Sequence, residues 1–152
     1  MDAVQHIDNA LVLEDALGGL RSLSAANGKL DWTVREPEFL QAACKILVEK
    51  CGYVMAWVGF AEHAQGKAVR PAGQYGCEAG YLASANITWA DTERGQGPTG
   101  CAIRTGRAQV NQNILTNPVM APWRNEARKR GYQSSIGLPL KGDLGTFGAL
   151  AI

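Results

Sequence analysis

The stretch over residues 89–106, WADTERGQGPTGCAIRTG, packs more unusual residue choices into eighteen positions than any other part of the chain. It combines Trp89, the charged run Asp91, Glu93 and Arg94, the thiol of Cys101, and glycines 95, 97 and 100 at GxGxxG spacing. That spacing can cradle a dinucleotide, but only after a buried parallel strand and with an acidic residue about 20 positions on. Here the polar run TWADTER precedes the glycines, and residues 115–120 hold neither Asp nor Glu. No Lys-Ser or Lys-Thr follows, so a Walker phosphate loop is excluded too. The glycines read instead as a loop that starts a helix. Asp91 and Glu93, two positions apart in an exposed run, read as solvated charge rather than an acid/base pair.

The thiols are the other candidates. Cys44, Cys51, Cys77 and Cys101 form no CxxC pair and have no histidine nearby, so no metal site is expected. Cys44 and Cys51 stand seven positions apart on one expected helix, about 10.5 Å along its axis, beyond disulfide reach. Reduced core thiols are the default reading. Cys101 lies near a helix start, a position that can favour a thiolate, and it too reads first as a structural thiol. His63 falls at a turn and His6 near the terminus, neither placed to bind haem or act as a base. No catalytic residue is assigned.

The elements that must position these groups follow from apolar spacing and turn formers. Leu13, Leu17, Leu20 and Leu23 predict an amphipathic helix over residues 8–27, interrupted by Gly18 and Gly19. A second helix is expected from Pro37, with Leu40, Cys44, Leu47 and Cys51 as its stripe and Ile46 widening it. YVMAWVGFAE, residues 53–62, is a strand buried on both faces, and residues 67–75 return antiparallel after the turn HAQGKA. Residues 86–90 and 107–111 are candidate strands, and residues 113–122 a loop. Pro98 and Gly106 bracket a two-turn helix too short to persist unless pressed onto a sheet. Residues 122–131 form another helix, whose terminal cations Arg128, Lys129 and Arg130 complement its dipole rather than mark a nucleic-acid patch. Residues 132–140 and 146–152 are strands joined by KGDLG.

At 152 residues the chain suits one domain, and a net charge of +1 offers no field for nucleic acid or an anionic membrane. Its apolar runs are too short to span a membrane and no secretion signal opens it, so a cytoplasmic location is expected.

Strands joined by short turns, with segregated helices, make an α+β sandwich. The blocks MAWVGFAE, WADTERGQGPTGCAIRTG, APWRNEARKRGYQSSIGLPL and FGALAI, in that order, resemble a GAF domain of bacterial sensor kinases and cyclic-di-GMP signalling proteins. The resemblance implies a six-stranded antiparallel sheet with helices on one face and a loop-covered small-molecule pocket on the other. It divides the chain into an N-terminal connector or dimerisation helix, residues 1–30, and a GAF domain, residues 31–152, without its usual C-terminal helix. It implies a homodimer through terminal helices and a covalently linked output domain, a histidine kinase or diguanylate cyclase. Haem, bilin and cyclic-nucleotide signatures are absent, leaving the ligand unnamed. The expected ligand contacts are Trp57, Trp89, Thr99, Trp123 and Ser135, with Asp91, Arg94 and Cys101 further out, and Asp91 and Arg94 can alternatively pair with each other. The alternatives are a ligand-free dimerisation module and a thiol enzyme resembling free methionine-(R)-sulfoxide reductase, whose WVGF strand residues 57–60 echo.

Overall fold

The first described element is helix α1, Trp32–Cys51, five residues ahead of the expected start. Pro37 lies inside it because, this close to the N-terminus, its missing N–H removes a single backbone bond. The computed structural model describes residues 32–76 and 78–152. The expected helix over residues 8–27, with the connector and dimerisation role given to residues 1–30, lies outside the described residues. Cys44 and Leu47 of α1 are buried, whereas Ile46 is 56% exposed. Two residues are 200° of helical turn, which carries Ile46 away from the stripe that contains Cys44.

The strands are β1 (Met55–Ala61), β2 (Val69–Gly76), β3 (Gln109–Asn111), β4 (Ser135–Gly142) and β5 (Gly145–Ala151). They form one sheet of order β2-β1-β5-β4-β3, antiparallel throughout. Five strands stand where six were expected. Residues 86–90 make an isolated bridge, Ala68 to Thr88, flanked by Val69 N–H to the Ile87 carbonyl and Trp89 N–H to the Lys67 carbonyl. The ladder stops there because Asn86 enters it in the left-handed region, at φ 47, and the chain turns again at Ala90 to Thr92.

Strand alternation sorts the two faces. Gly73 of β2 faces α1: a Cβ there would lie 2.8 Å from the Cβ of Leu40. Its cross-strand partner Val58, and Leu150 beyond it, share that face. On the opposite face stand Met55, Trp57, Ala149, Ala151 and Gly137. There the layer consists of loops and short helices: α2 (Tyr81–Ala85), α3 (Pro98–Thr105), α4 (Arg124–Arg130) and 3₁₀ turns Glu93–Gly95 and Pro118–Met120. Helices therefore lie on both faces rather than one, with the three short ones built into the lid.

α3 keeps its expected bounds. Gly97 precedes Pro98 and Gly106 closes the helix at φ 63. It is pressed onto β4 closely enough that a Cβ on Gly137 would lie 2.5 Å from the Pro98 carbonyl oxygen. One apolar cluster lies between sheet and lid, with Met55, Trp57, Tyr81, Ala85, Ile103, Ile114, Met120, Trp123 and Ala127 among its members.

Candidate functional site

Two groups of side chains fasten the lid, and the expected site residues divide between them. The first centres on the carbonyl of Ala85, the last residue of α2. It accepts from the Trp123 indole Nε1 at 2.8 Å and from the Arg94 guanidinium at 2.7 Å. A Cβ on Gly97 would lie 2.9 Å from the Trp123 ring, so the glycine loop rests against that indole. Trp57 and Trp123 share the apolar cluster, 3% and 4% exposed. Thr99 is buried, and its backbone nitrogen lies over Gly137, two residues along β4 from Ser135. Trp57, Arg94, Thr99, Trp123 and Ser135 thus line one side of the lid's interior.

The second group sits at the lid's outer end. Arg104 donates to the carbonyls of Trp89, Ala90 and Gly95 at 3.1, 3.0 and 2.6 Å. Its other nitrogen reaches Gln96 Oε1 and the Cys101 sulfur, each at 3.2 Å. Gln96 Nε2 in turn donates to Asp91 at 2.6 Å. Asp91 is exposed and pairs with Gln96, while Arg94 is spent on Ala85, so among the described residues the expected alternative Asp91–Arg94 pair does not form. The Trp89 indole donates to the Glu62 carbonyl at 2.8 Å, carries Lys67 over its ring at 4.5 Å and meets His63 edge-on. Trp89, Asp91 and Cys101 therefore belong to the rim.

Three residues not singled out in the sequence complete the interior. Asn117 Oδ1 accepts from the Val119 N–H, its Nδ2 donates to Asn111 Oδ1 at 2.9 Å, and its carbonyl accepts from Arg124 at 3.0 Å. Asn111 is 3% exposed and pairs across β3–β4 with Ser135. Asn111 Nδ2, Arg124 Nε and Ser135 Oγ are buried without a hydrogen-bond partner. A surface groove of about 440 Å³ lies elsewhere, lined by Gln41, Gln74, Tyr75, Gly76, Glu78 and Ala79. It is polar and open, and none of the expected site residues borders it.

As to thiol chemistry, Cys44 is fully buried on the α1 face, and burial pushes its thiol up to about 11. Cys101 lies on the lid face, so the sheet separates the two. Burial likewise pushes the Tyr81 phenol up to about 12, against the opposing pull of Arg130. Among the described residues no cluster of His, Cys, Asp and Glu could hold a metal, and no helix is long and apolar enough to cross a membrane.

An antiparallel sheet with one long helix behind it and a lid of loops in front defines an α+β sandwich, and the family follows from the sequence match. The GAF domain model matches residues 33–152, so the chain belongs to the GAF domain family. No curated protein sequence matches the chain. Among solved structures it is similar to a GAF domain region from Geobacter sulfurreducens, with TM-score 0.60, 17% identity, and 78% of this chain and 75% of that one covered. It is also similar to the type II free methionine-R-sulfoxide reductase of Thermoplasma acidophilum, with TM-score 0.62, 21% identity, and 81% and 76% covered. A domain described as belonging to a two-component sensor histidine kinase of Sinorhizobium meliloti is similar at TM-score 0.55 and 12% identity, with 75% and 69% covered. At these identities the likenesses speak for the fold alone.

Proposed function

We propose that this GAF domain is the ligand-sensing module of a larger, cytoplasmic signal-transduction protein. It binds a small molecule between lid and sheet, through Trp57, Thr99, Trp123 and Ser135 with Arg94. Occupancy is passed to a covalently linked output domain, and two copies associate through their terminal helices. The observation that carries this reading is how the lid is attached. Its loops hang on side chains, Arg94, Trp123 and Arg104, that donate to backbone carbonyls, rather than on sheet ladders. Such loops can shift together when the space beneath them is filled, which a strand in register cannot do. Similarity to a sensor histidine kinase domain supports the same reading.

The test is native mass spectrometry of protein purified from cells, followed by thermal melts of stripped protein with the released compound. A retained mass that raises the melting temperature is expected. Protein that carries nothing and responds to no metabolite extract would leave a dimerisation module as the better description.

The similarity to a sulfoxide reductase, together with the contact between Cys101 and Arg104, supports a second reading as a thiol enzyme. That chemistry needs a resolving thiol near the nucleophile, and Cys44, on the far side of the sheet, is not one. Assaying reduction of free methionine sulfoxide by wild type and Cys101→Ser separates the readings, because a sensor turns over in neither.

A further inference from the structure

Among the described residues, three buried side-chain polar atoms, on the floor of the lid, lack a hydrogen-bond partner. Native interiors satisfy nearly all such atoms, and an exception calls for a specific cause. Asn111, Ser135 and Arg124 are one connected group: Asn111 faces Ser135 across the β3–β4 ladder, and Asn117 ties Asn111 to Arg124.

The chemistry of the missing partner can be read from the donors. Val119 N–H fixes the Asn117 amide, because its oxygen is used there and only its nitrogen remains to donate. Asn111 therefore presents its oxygen to Asn117 and its Nδ2 to the interior. Arg124 Nε is likewise a donor only, and Ser135 Oγ can donate or accept. A cation is excluded by two obligate donors. The described ion pairs are Lys45–Glu49, Arg70–Glu62, Lys129–Glu126 and Arg130–Glu126, so no carboxylate answers the Arg124 charge among them. A half-buried guanidinium without a carboxylate partner among those pairs, linked through Asn117 to two further donors, favours an anionic acceptor over a neutral one. Paired residues across an antiparallel ladder stand about 4.5–5.5 Å apart at Cα, a spacing that one small anion can bridge.

We infer that the lid interior takes a small oxyanion, the carboxylate of a metabolite or an inorganic ion, that accepts from Asn111 Nδ2, Ser135 Oγ and Arg124 Nε. This rests on the ligand-sensing reading and specifies the chemistry of its ligand. The three atoms are enclosed in the closed lid, so the ion enters by displacing the loop of residues 112–123, and the donors it satisfies hold the displaced arrangement.

The test is isothermal titration of the 152-residue chain with sodium acetate, propionate, nitrate or phosphate at matched ionic strength, with sodium chloride as control. Saturable binding of at least one oxyanion is expected. Acetate or propionate binding points to a metabolite carboxylate, and nitrate or phosphate binding to an inorganic ion. Arg124→Gln is expected to weaken binding roughly 30-fold, the loss of one charged hydrogen bond, while Arg128→Gln, an exposed residue of the same helix, leaves it unchanged. Asn111→Asp is the second variant. Its carboxylate keeps the Asn117 contact and supplies the acceptor internally, so it is expected to abolish anion binding and raise the melting temperature at pH 7. Binding that Arg124→Gln and Asn111→Asp leave intact overturns the inference, as does absence of saturable binding with ordered water on all three atoms. A neutral compound retained in native mass spectrometry, with no oxyanion response, overturns the anion and keeps the sensor. No retained mass and no oxyanion response overturns both.

Discussion

Gly100→Ala sets two effects of opposite sign against each other. In a helix interior, alanine is better than glycine by about 1 kcal/mol, so propensity alone predicts stabilisation. In α3 the new Cβ would lie 2.5 Å from the carbonyl oxygens of both Gly95 and Thr88. These are backbone atoms, one held by Arg104 and the other beside the Ala68 bridge. To reach ordinary contact at 3.4 Å each must retreat by about 0.9 Å (3.4 − 2.5), or α3 must lift from β4. Overpacking against a framework that cannot yield costs about 1–3 kcal/mol per site, at the upper end when two rigid groups are struck. The net expectation is a loss of about 2 kcal/mol, or roughly 4–8 °C in melting temperature for a chain of this size. Gly97→Ala is the comparison: its Cβ would meet the Trp123 ring at 2.9 Å, and a ring can tilt, so a smaller loss is expected. Melts of both variants by circular dichroism check the order. If Gly100→Ala melts at or above wild type, close backbone approach does not fix the seat of α3, and the reasoning about the lid fails with it.

Three further outcomes follow from the same contacts. Arg104→Lys keeps the charge but puts one ammonium in place of two nitrogens, one on three carbonyls and the other on Gln96 and the Cys101 sulfur, and is expected to cost about 2 kcal/mol; faster hydrogen exchange confined to residues 89–96 would confirm it, and unchanged exchange would contradict it. Cys44 has a thiol raised from 9.0 to about 11 by burial. The stability this represents is present below pH 9 and disappears as pH climbs toward 11, so melts between pH 8 and 11 should fall more steeply in wild type than in Cys44→Ala. The Glu126 carboxyl is held below its ordinary range by hydrogen bonds from Lys129 and then Arg130. Its contribution is present above the ordinary carboxylate range and lost as acid protonates it, so Glu126→Gln should lose less stability than wild type between pH 7 and pH 3.

Much of the framework was legible because punctuation residues carry their own geometry. Pro98 and Gly106 bound α3, Gly131 ends α4 at φ 74, and the apolar run over residues 53–62 is β1. What escaped was decided by tertiary partners. Residues 86–90 have strand composition, yet the Thr88 hydroxyl is spent on the carbonyls of Gly66 and Lys67, which binds them as a turn-like tie instead of a ladder. The burial of two of the candidate residues was readable because tryptophans announce buried area, and Trp57 and Trp123 do meet in one cluster. Asn111, Asn117 and Arg124 were not, since asparagines near prolines read as turn formers and an arginine on a basic helix reads as surface. Nothing in spacing alone says that Asn117 orients Asn111, or that Arg124 turns inward to the Asn117 carbonyl. Asp91 and Arg94, three positions apart, invite pairing in sequence, but the nearer carbonyl of Ala85 claims the guanidinium.

The strand order has a consequence for the way this sheet is made. β5 is the last of the described strands in sequence yet sits in the middle of the sheet, between β1 and β4. Without it, the β1–β2 hairpin and the β3–β4 pair share no ladder among the described residues, and Val58 and Leu138 both pair with Leu150. The two halves of the sheet are thus joined through β5 alone, so closing it depends on ladders between residues about 90 positions apart, the long-range contacts that form slowly in folding.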